Sequence, residues 1–259
     1  MSDQQKRANP VVLLHVTDTH LHAAPDSKMR GVNTFETLKQ VLDTVRRDVA
    51  WPPDAILATG DLVQDESRMG YERFKSSMDS LSAPVYCIPG NHDDPVLMAA
   101  VLGAPPFQVN GELHLGNWVV VLLDTHVRGD DGGHLDAAAL HALDAALTAS
   151  AQRHALIVMH HHPIPMHSTW LDGVGLRDPE DFFAVVDRHQ NVRAILWGHV
   201  HQASDRDRGT VRMLSTPSTC SQFLPEAEFF ALDDLPPGFR WLRLYADGTL
   251  DTEVGWVSA

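Results

Sequence analysis

Two β-sheets set face to face and flanked by helices, an α/β architecture, are expected from three features of this chain. Its first half alternates strand and helix patterns in the order β-α-β-α-β. Its second half opens on hairpin-like runs and closes on strand after strand. No linker, internal repeat or low-complexity stretch separates the halves. One domain over residues 11–259 is therefore expected, behind a flexible tail at 1–10.

Val11–Thr17 is apolar and β-branched, as a buried strand is. Thr34–Val49 carries Phe35, Leu38, Val41, Leu42 and Val45 at helical spacing. Ala55–Thr59 reads as a short strand, Tyr71–Leu81 as a helix, Pro84–Ile88 as a strand. Pro95–Leu102 reads as a helix opened by its proline, whose fixed φ suits a first turn. Glu112–Leu115 and Trp118–Leu123 flank Gly116-Asn117, a two-residue hairpin turn. His134–Thr148 is Ala- and Leu-rich and helical. Strands Ala155–Met159 and Val192–Trp197 bracket a helix at Glu180–Arg188. From Thr210 the pattern is strand-like, ending in Phe239–Tyr245, a turn at residues 246–248, and Leu250–Val254.

Composition narrows the function. The chain has 259 residues, 44% apolar and 21% charged, and no apolar run long enough to span a bilayer. No signal peptide is recognisable, so a cytoplasmic protein without a membrane partner is expected. Two cysteines, Cys87 and Cys220, suit that compartment, and Cys87 sits in a strand pattern as a small buried apolar residue would. The net charge of −14 and the lack of a Lys/Arg cluster argue against a stable nucleic-acid partner. They do not argue against an anionic small molecule, because bound cations dominate their local field.

Five segments carry chemistry: Asp18-Thr-His20, Gly60-Asp61, Gly90-Asn91-His92-Asp93, Met159-His160 and Gly198-His199-Val200-His201. Each follows a strand pattern, so each delivers a side chain to the rim of a sheet. Carboxylate, imidazole and amide without thiolate suit hard or borderline ions. Asp18 and His20, like His199 and His201, are two residues apart, which on extended backbone places both on one face. Asp61 has two oxygens and can bridge two cations. The remaining eleven of sixteen histidines, His15, His114, His141, His154 and His189 among them, are expected to be surface or core residues.

The ordered series D-x-H, G-D, G-N-H-D, H, G-H-x-H resembles the calcineurin-like metallophosphoesterases over almost the whole chain. The segments 17–21, 31–34, 58–65, 160–163, 170–172, 198–202, 216–223 and 237–250 resemble one branch, the bacterial class III 3′,5′-cyclic-AMP phosphodiesterases. The resemblance implies a four-layer α/β/β/α sandwich of two facing mixed sheets. It implies one metal held by Asp18, His20, Asp61 and His201, and a second held by Asp61, Asn91, His160 and His199, with Asp61 bridging. Iron together with manganese or another divalent ion would fill them. His160 is preferred because it follows its strand directly, with His161 the alternative.

Such a centre implies in-line attack of a metal-bridging hydroxide on phosphorus, converting 3′,5′-cyclic AMP to 5′-AMP. His20, Asp61, Asn91, His92, His160 and His201 would surround the substrate. His92 is the candidate proton donor to the leaving 3′ oxygen, with Asp65 or Asp93 as its acidic partner because Gln64 stands where some relatives carry one. Loops near Asn33, 167–177 and 216–223 should form the mouth, where Trp170 or Phe223 could stack on adenine or simply pack. The alternative activity is a broad phosphodiesterase acting on glycerophosphodiesters, 2′,3′-cyclic nucleotides or cGMP. A small-molecule nucleotide partner and a monomer or homodimer complete the expectation.

Overall fold

A computed structural model describes residues 9–258. Of the tail expected at 1–10, residues 1–8 lie outside the described residues. The first half runs β1 (Val11–Val16), β2 (Lys28–Met29), β3 (Val32–Asn33), α1 (Thr34–Arg47), β4 (Ala55–Thr59), α2 (Arg68–Asp79), β5 (Val85–Ile88), α3 (Pro95–Leu102) and β6 (Phe107–Val109). The second half continues with β7 (Gly111–Leu115), β8 (Trp118–Leu122), α4 (Ala137–Ala149), β9 (His154–Met159), α5 (Thr169–Asp172), α6 (Pro179–Val186) and β10 (Val192–Trp197). It ends with β11 (Ser204–Arg208), β12 (Val211–Ser215), β13 (Gln222–Phe223), β14 (Leu232–Asp233), β15 (Gly238–Leu244) and β16 (Leu250–Trp256).

One six-stranded sheet has the order β16-β15-β1-β4-β5-β6, the other β11-β12-β10-β9-β8-β7. Both are mixed. β1, β4, β5 and β6 are parallel, and β15 joins β1 antiparallel with Leu13 opposite Leu242. In the second sheet β8, β9, β10 and β12 are parallel between antiparallel edges β7 and β11.

Alternation along each strand sorts side chains into layers. Leu13 of β1 and Leu57 of β4 meet Val120, Leu156 and Leu196 between the sheets. Leu14, Val16, Ile56 and Ala58 point the other way, onto Leu38 and Val45 of α1 and Phe74 of α2. On the far face of the second sheet Ile157 and Ile195 pack with Leu143 of α4 and Phe182 of α6. The result is the expected four-layer sandwich.

The structure departs from the sequence pattern in three places. The C-terminal hairpin β15–β16 returns to the first sheet rather than extending the second, because β1 still offers an unpaired edge to it. The stretch 216–237 holds only the two-residue strands β13 and β14 instead of full strands. β11, sequence SDRDR, is an edge strand without apolar patterning, since an edge strand need not be apolar. Helix starts follow their caps. Ser67 Oγ accepts the Gly70 N–H, so α2 begins three residues before Tyr71, and Asp136 caps α4 through the Ala139 N–H.

Candidate metal centre

All five segments converge where strands β1, β4, β5, β9 and β10 end. The loops after β1 and β4 run side by side, with Asp18 N–H donating to Gly60 O and His20 N–H to Asp61 O. Asp18, His20, Asp61, His199 and His201 all adopt positive φ, between 43° and 65°. Left-handed backbone at non-glycine residues costs energy and gathers at functional sites. It also replaces the extended geometry expected for the two i, i+2 pairs, since each side chain is swung inward by its own left-handed turn. Gly60 and Gly90 allow close approach. A Cβ at Gly60 would stand 2.5 Å from His160 Nδ1, and one at Gly90 would overlap the Asp61 side chain.

The donor atoms form two groups. In one, His201 Nε2 lies 3.3 Å from Asp18 Oδ1 and 3.1 Å from His20 Nε2, which in turn is 3.7 Å from Asp61 Oδ2. In the other, His160 Nε2 is 3.5 Å from Asp61 Oδ1 and 3.2 Å from Asn91 Oδ1, and His199 Nδ1 is 3.0 Å from the same amide oxygen. Asp61 therefore turns one oxygen to each group. His161 directs Nδ1 to Thr125 Oγ1 instead, and its ring packs beside His160 and His199.

The residues present fit cations. His160 donates Nδ1–H to Thr59 O at 2.7 Å and His201 donates Nδ1–H to Ser221 O at 2.6 Å. On the neutral ring each bond leaves an Nε2 lone pair facing carboxylate, amide or imidazole acceptors, an arrangement that a positive charge there, a cation or a second ring proton, reconciles. Burial holds His20 down at about 3, and burial with the neighbouring imidazoles holds His199 well below the usual histidine range, so both stay neutral. Burial opposes ionisation of Asp61, yet His160 and His20 beside it keep its carboxyl well below the ordinary value. Burial lowers His160, but Asp61 and Asp18 outweigh it and raise it to about 9. Four groupings among the described residues could hold an ion: Asp18–His20–His201, Asp18–Asp61–His160, His20–Asp61–His92 and His160–His161–His199.

His92 borders this centre. Its backbone N–H donates to Asp61 Oδ1 at 2.9 Å, and its Nδ1 lies 3.1 Å from Gln64 Nε2. Neither expected acidic partner touches it. Asp65 binds Ala23 N–H and Ser67, while Asp93 accepts from Leu62, Val63 and Gly90 N–H and from Tyr71 Oη. Asp93 instead ties the loop after β4 to the loop after β5. Burial, with Asp61 nearby, raises its carboxyl to about 7. The neutral Gln64 amide is the side chain beside His92, and its Oε1 is buried without a partner.

A cleft of about 270 Å³ opens over the donors, lined by His20, Asp61, Asn91, His92, His199 and His201 together with Trp170, Phe223, Phe230 and Arg30. Phe223 lies flat on His201 with centroids 3.9 Å apart. Trp170, Phe223 and Phe230 meet edge to face in pairs, and the Arg30 guanidinium covers Phe230 at 4.5 Å. Arg30 and Phe230 lie in segments without periodicity, so no sequence signal marked them.

The model of the calcineurin-like phosphoesterase family matches residues 11–203, three quarters of the chain. The chain belongs to the calcineurin-like phosphoesterases. Members of this family act with two divalent metal ions, in keeping with the two donor groups here. This phosphoesterase is 40% identical over 247 residues to the 3′,5′-cyclic adenosine monophosphate phosphodiesterase CpdA of Pseudomonas aeruginosa, covering 95% of this chain and 90% of that protein. It is 40% identical over 245 residues to the protein of the same name from Escherichia coli K12, covering 94% and 89%. A dimetal phosphatase from Danio rerio superposes with a TM-score of 0.66 over 96% of this chain and all of that one, at 16% identity, a likeness of fold. Among the described residues no helix is long and apolar enough to cross a membrane.

Proposed function

We propose that this phosphoesterase hydrolyses 3′,5′-cyclic AMP to 5′-AMP, using iron together with manganese or another divalent ion. The observation that carries the reading is Asp61, whose two carboxylate oxygens face two separate donor groups. Asp18, His20, Asp61 and His201 would hold one ion, and Asp61, Asn91, His160 and His199 the other. Bound there, the pair supplies Lewis-acid charge for the phosphoryl oxygens and an acidified water.

The chain's own residues then do three things. Asn91 is a neutral donor, so it completes its group without reducing the positive charge that the phosphate meets. His92, with Nδ1 engaged by Gln64, offers Nε2 to the leaving 3′ oxygen and supplies its proton there. The rings of Phe223, Trp170 and Phe230 provide an aromatic wall suited to a nucleobase, which a glycerol headgroup would not need. The cytoplasm suits Cys87 and Cys220, both buried and unpaired.

Side-by-side rates on 3′,5′-cAMP, cGMP, 2′,3′-cAMP and a glycerophosphodiester, with metal-loaded protein, test the substrate. The expected winner is 3′,5′-cAMP. A glycerophosphodiester ahead by a wide margin would replace it with the broad-specificity reading. Full activity after exhaustive EDTA treatment would refute the metal chemistry itself.

A further inference from the structure

A file of buried, hydrogen-bonded polar side chains leads to Asp18. Arg240 of β15 is 2% exposed, and His15, Thr216, Thr17 and Asp18 are wholly buried. The Arg240 guanidinium has no carboxylate in ion-pair range among the described residues. It is held by Thr216 Oγ1, Thr252 Oγ1 and the carbonyls of Ser204 and Ser215.

The direction of each proton can be assigned in turn. Arg240 Nε–H can only donate, and it does so to Thr216 Oγ1 at 3.3 Å. The remaining partner of that hydroxyl is His15 Nδ1 at 2.5 Å, so Thr216 donates and Nδ1 accepts. His15 must then carry its proton on Nε2, which donates to Thr59 Oγ1 at 2.7 Å. Thr59 passes its proton to Thr17 Oγ1 at 2.9 Å. Thr17 lies nearer Asp18 Oδ2, at 2.6 Å, than Thr59 O, at 3.3 Å, and donates to the carboxylate. Burial and the Arg240 charge hold His15 at about 3, so it stays a neutral link with one donor and one acceptor.

The His199 N–H reaches both carboxylate oxygens of Asp18, at 3.0 Å from Oδ2 and 3.2 Å from Oδ1. The Thr17 hydroxyl goes to Oδ2 alone, and Oδ1 is the oxygen turned towards His20 and His201.

We propose that Arg240, Thr216, His15, Thr59 and Thr17 are positioning residues, a one-way hydrogen-bond chain whose every proton points towards Asp18 and which holds Oδ1 oriented for its cation. Aligned hydroxyl and imidazole dipoles strengthen one another in a dry interior. The chain starts at a buried positive charge and ends on an acceptor-only carboxylate, so its direction cannot reverse. It runs from β15 of the first sheet to Thr216 at the end of β12 in the second and back to β1 and β4 of the first, and so couples the packing of the two sheets to one donor atom. This inference rests on the reading of Asp18 as a metal donor.

Calorimetric titration of the metal-free full-length chain with Mn²⁺ tests it, on wild type, Thr216→Val, Thr59→Val and Thr59→Ser. Partners behind metal ligands typically contribute about 10–100-fold in affinity. Both valine variants should bind one of two Mn²⁺ ions that much more weakly, and Thr59→Ser, which keeps the hydroxyl, should recover most of the loss. ¹⁵N spectra of the wild type should show His15 protonated on Nε2 alone. Should Thr59→Val fail to fold, Thr216→Val, further along the chain from Asp18 and beside Arg240, decides the matter. Wild-type Mn²⁺ affinity in Thr216→Val with only a lower thermal midpoint would reduce the chain to a tie between sheets, as would a proton on His15 Nδ1. Wild-type protein that takes up two Mn²⁺ ions yet leaves cAMP intact would refute the proposed substrate while this comparison still stands.

Discussion

Asp61 accepts the His92 backbone N–H on Oδ1, the same oxygen that faces His160. The residue that joins the two donor groups therefore also sets the position of the candidate proton donor. Asp61→Asn keeps the shape but removes the charge shared by both groups. Its metal content should fall from two ions per chain to one or fewer by elemental analysis. Turnover of cAMP should drop more than about 100-fold, since changes one shell further out already cost about 10–100-fold. Two retained ions with near-normal turnover would remove Asp61 from the bridging role.

Gly90 packs its backbone against that same side chain. A Cβ there would collide with Asp61 Oδ1 and N and stand 2.7 Å from His160 Cε1. One of these atoms is backbone and the other two belong to buried side chains held in the centre, so the loop or the donors must shift. Gly90→Ala should keep a native far-UV spectrum, melt several degrees lower and lose metal affinity. A displacement of about 1 Å in a reacting group costs on the order of 100-fold in rate, and a loss of that size is expected in cAMP turnover.

The layers and the gathering of the candidate donors at one rim were legible because periodicity and strand-end position encode them. Val11–Val16, Ala55–Thr59 and Val192–Trp197 are apolar runs, and the residues that follow them have nowhere to go but the rim. What the residues could not show lies in tertiary pairing. β15 chooses β1 over the second sheet, a choice absent from its own GFRWLRL sequence. His15 looks like any histidine, and only its contacts with Thr216 and Thr59 distinguish it. Nothing in the sequence distinguishes Gln64 from Asp65 or Asp93 as the partner of His92, and geometry puts Gln64 there.

Phe230 separates base binding from chemistry. Unlike Phe223 it does not rest on a donor histidine, and it joins Phe223, Trp170 and Arg30 at the cleft. Stacking of a base on an aromatic side chain is worth about 1–3 kcal/mol, and about 1.4 kcal/mol is tenfold in binding. Phe230→Ala should raise KM for cAMP about tenfold with kcat nearly unchanged. KM for a glycerophosphodiester, which has no base, should stay put. Equal rises for both substrates would mean that the ring shapes the cleft rather than reading the base.

His15 gives the fold an acid-sensitive point away from the donors. Burial and Arg240 lower it from the ordinary 6.5 to about 3, with Asp18 opposing them. Below pH 6.5 the unfolded chain takes up a proton on His15 that the folded chain refuses until about pH 3. Stability contributed at this position is therefore complete above pH 6.5 and is lost as pH falls through the interval. The slope approaches about 1.4 kcal/mol per pH unit for one proton. His15→Gln removes the titration. Urea unfolding of wild type and variant should diverge by about 2 kcal/mol between pH 7.5 and 5, wild type losing ground as acid is added. Parallel curves across that range would mean that folded His15 accepts a proton as readily as the unfolded chain does, and is not the neutral, solvent-excluded link between Thr216 and Thr59.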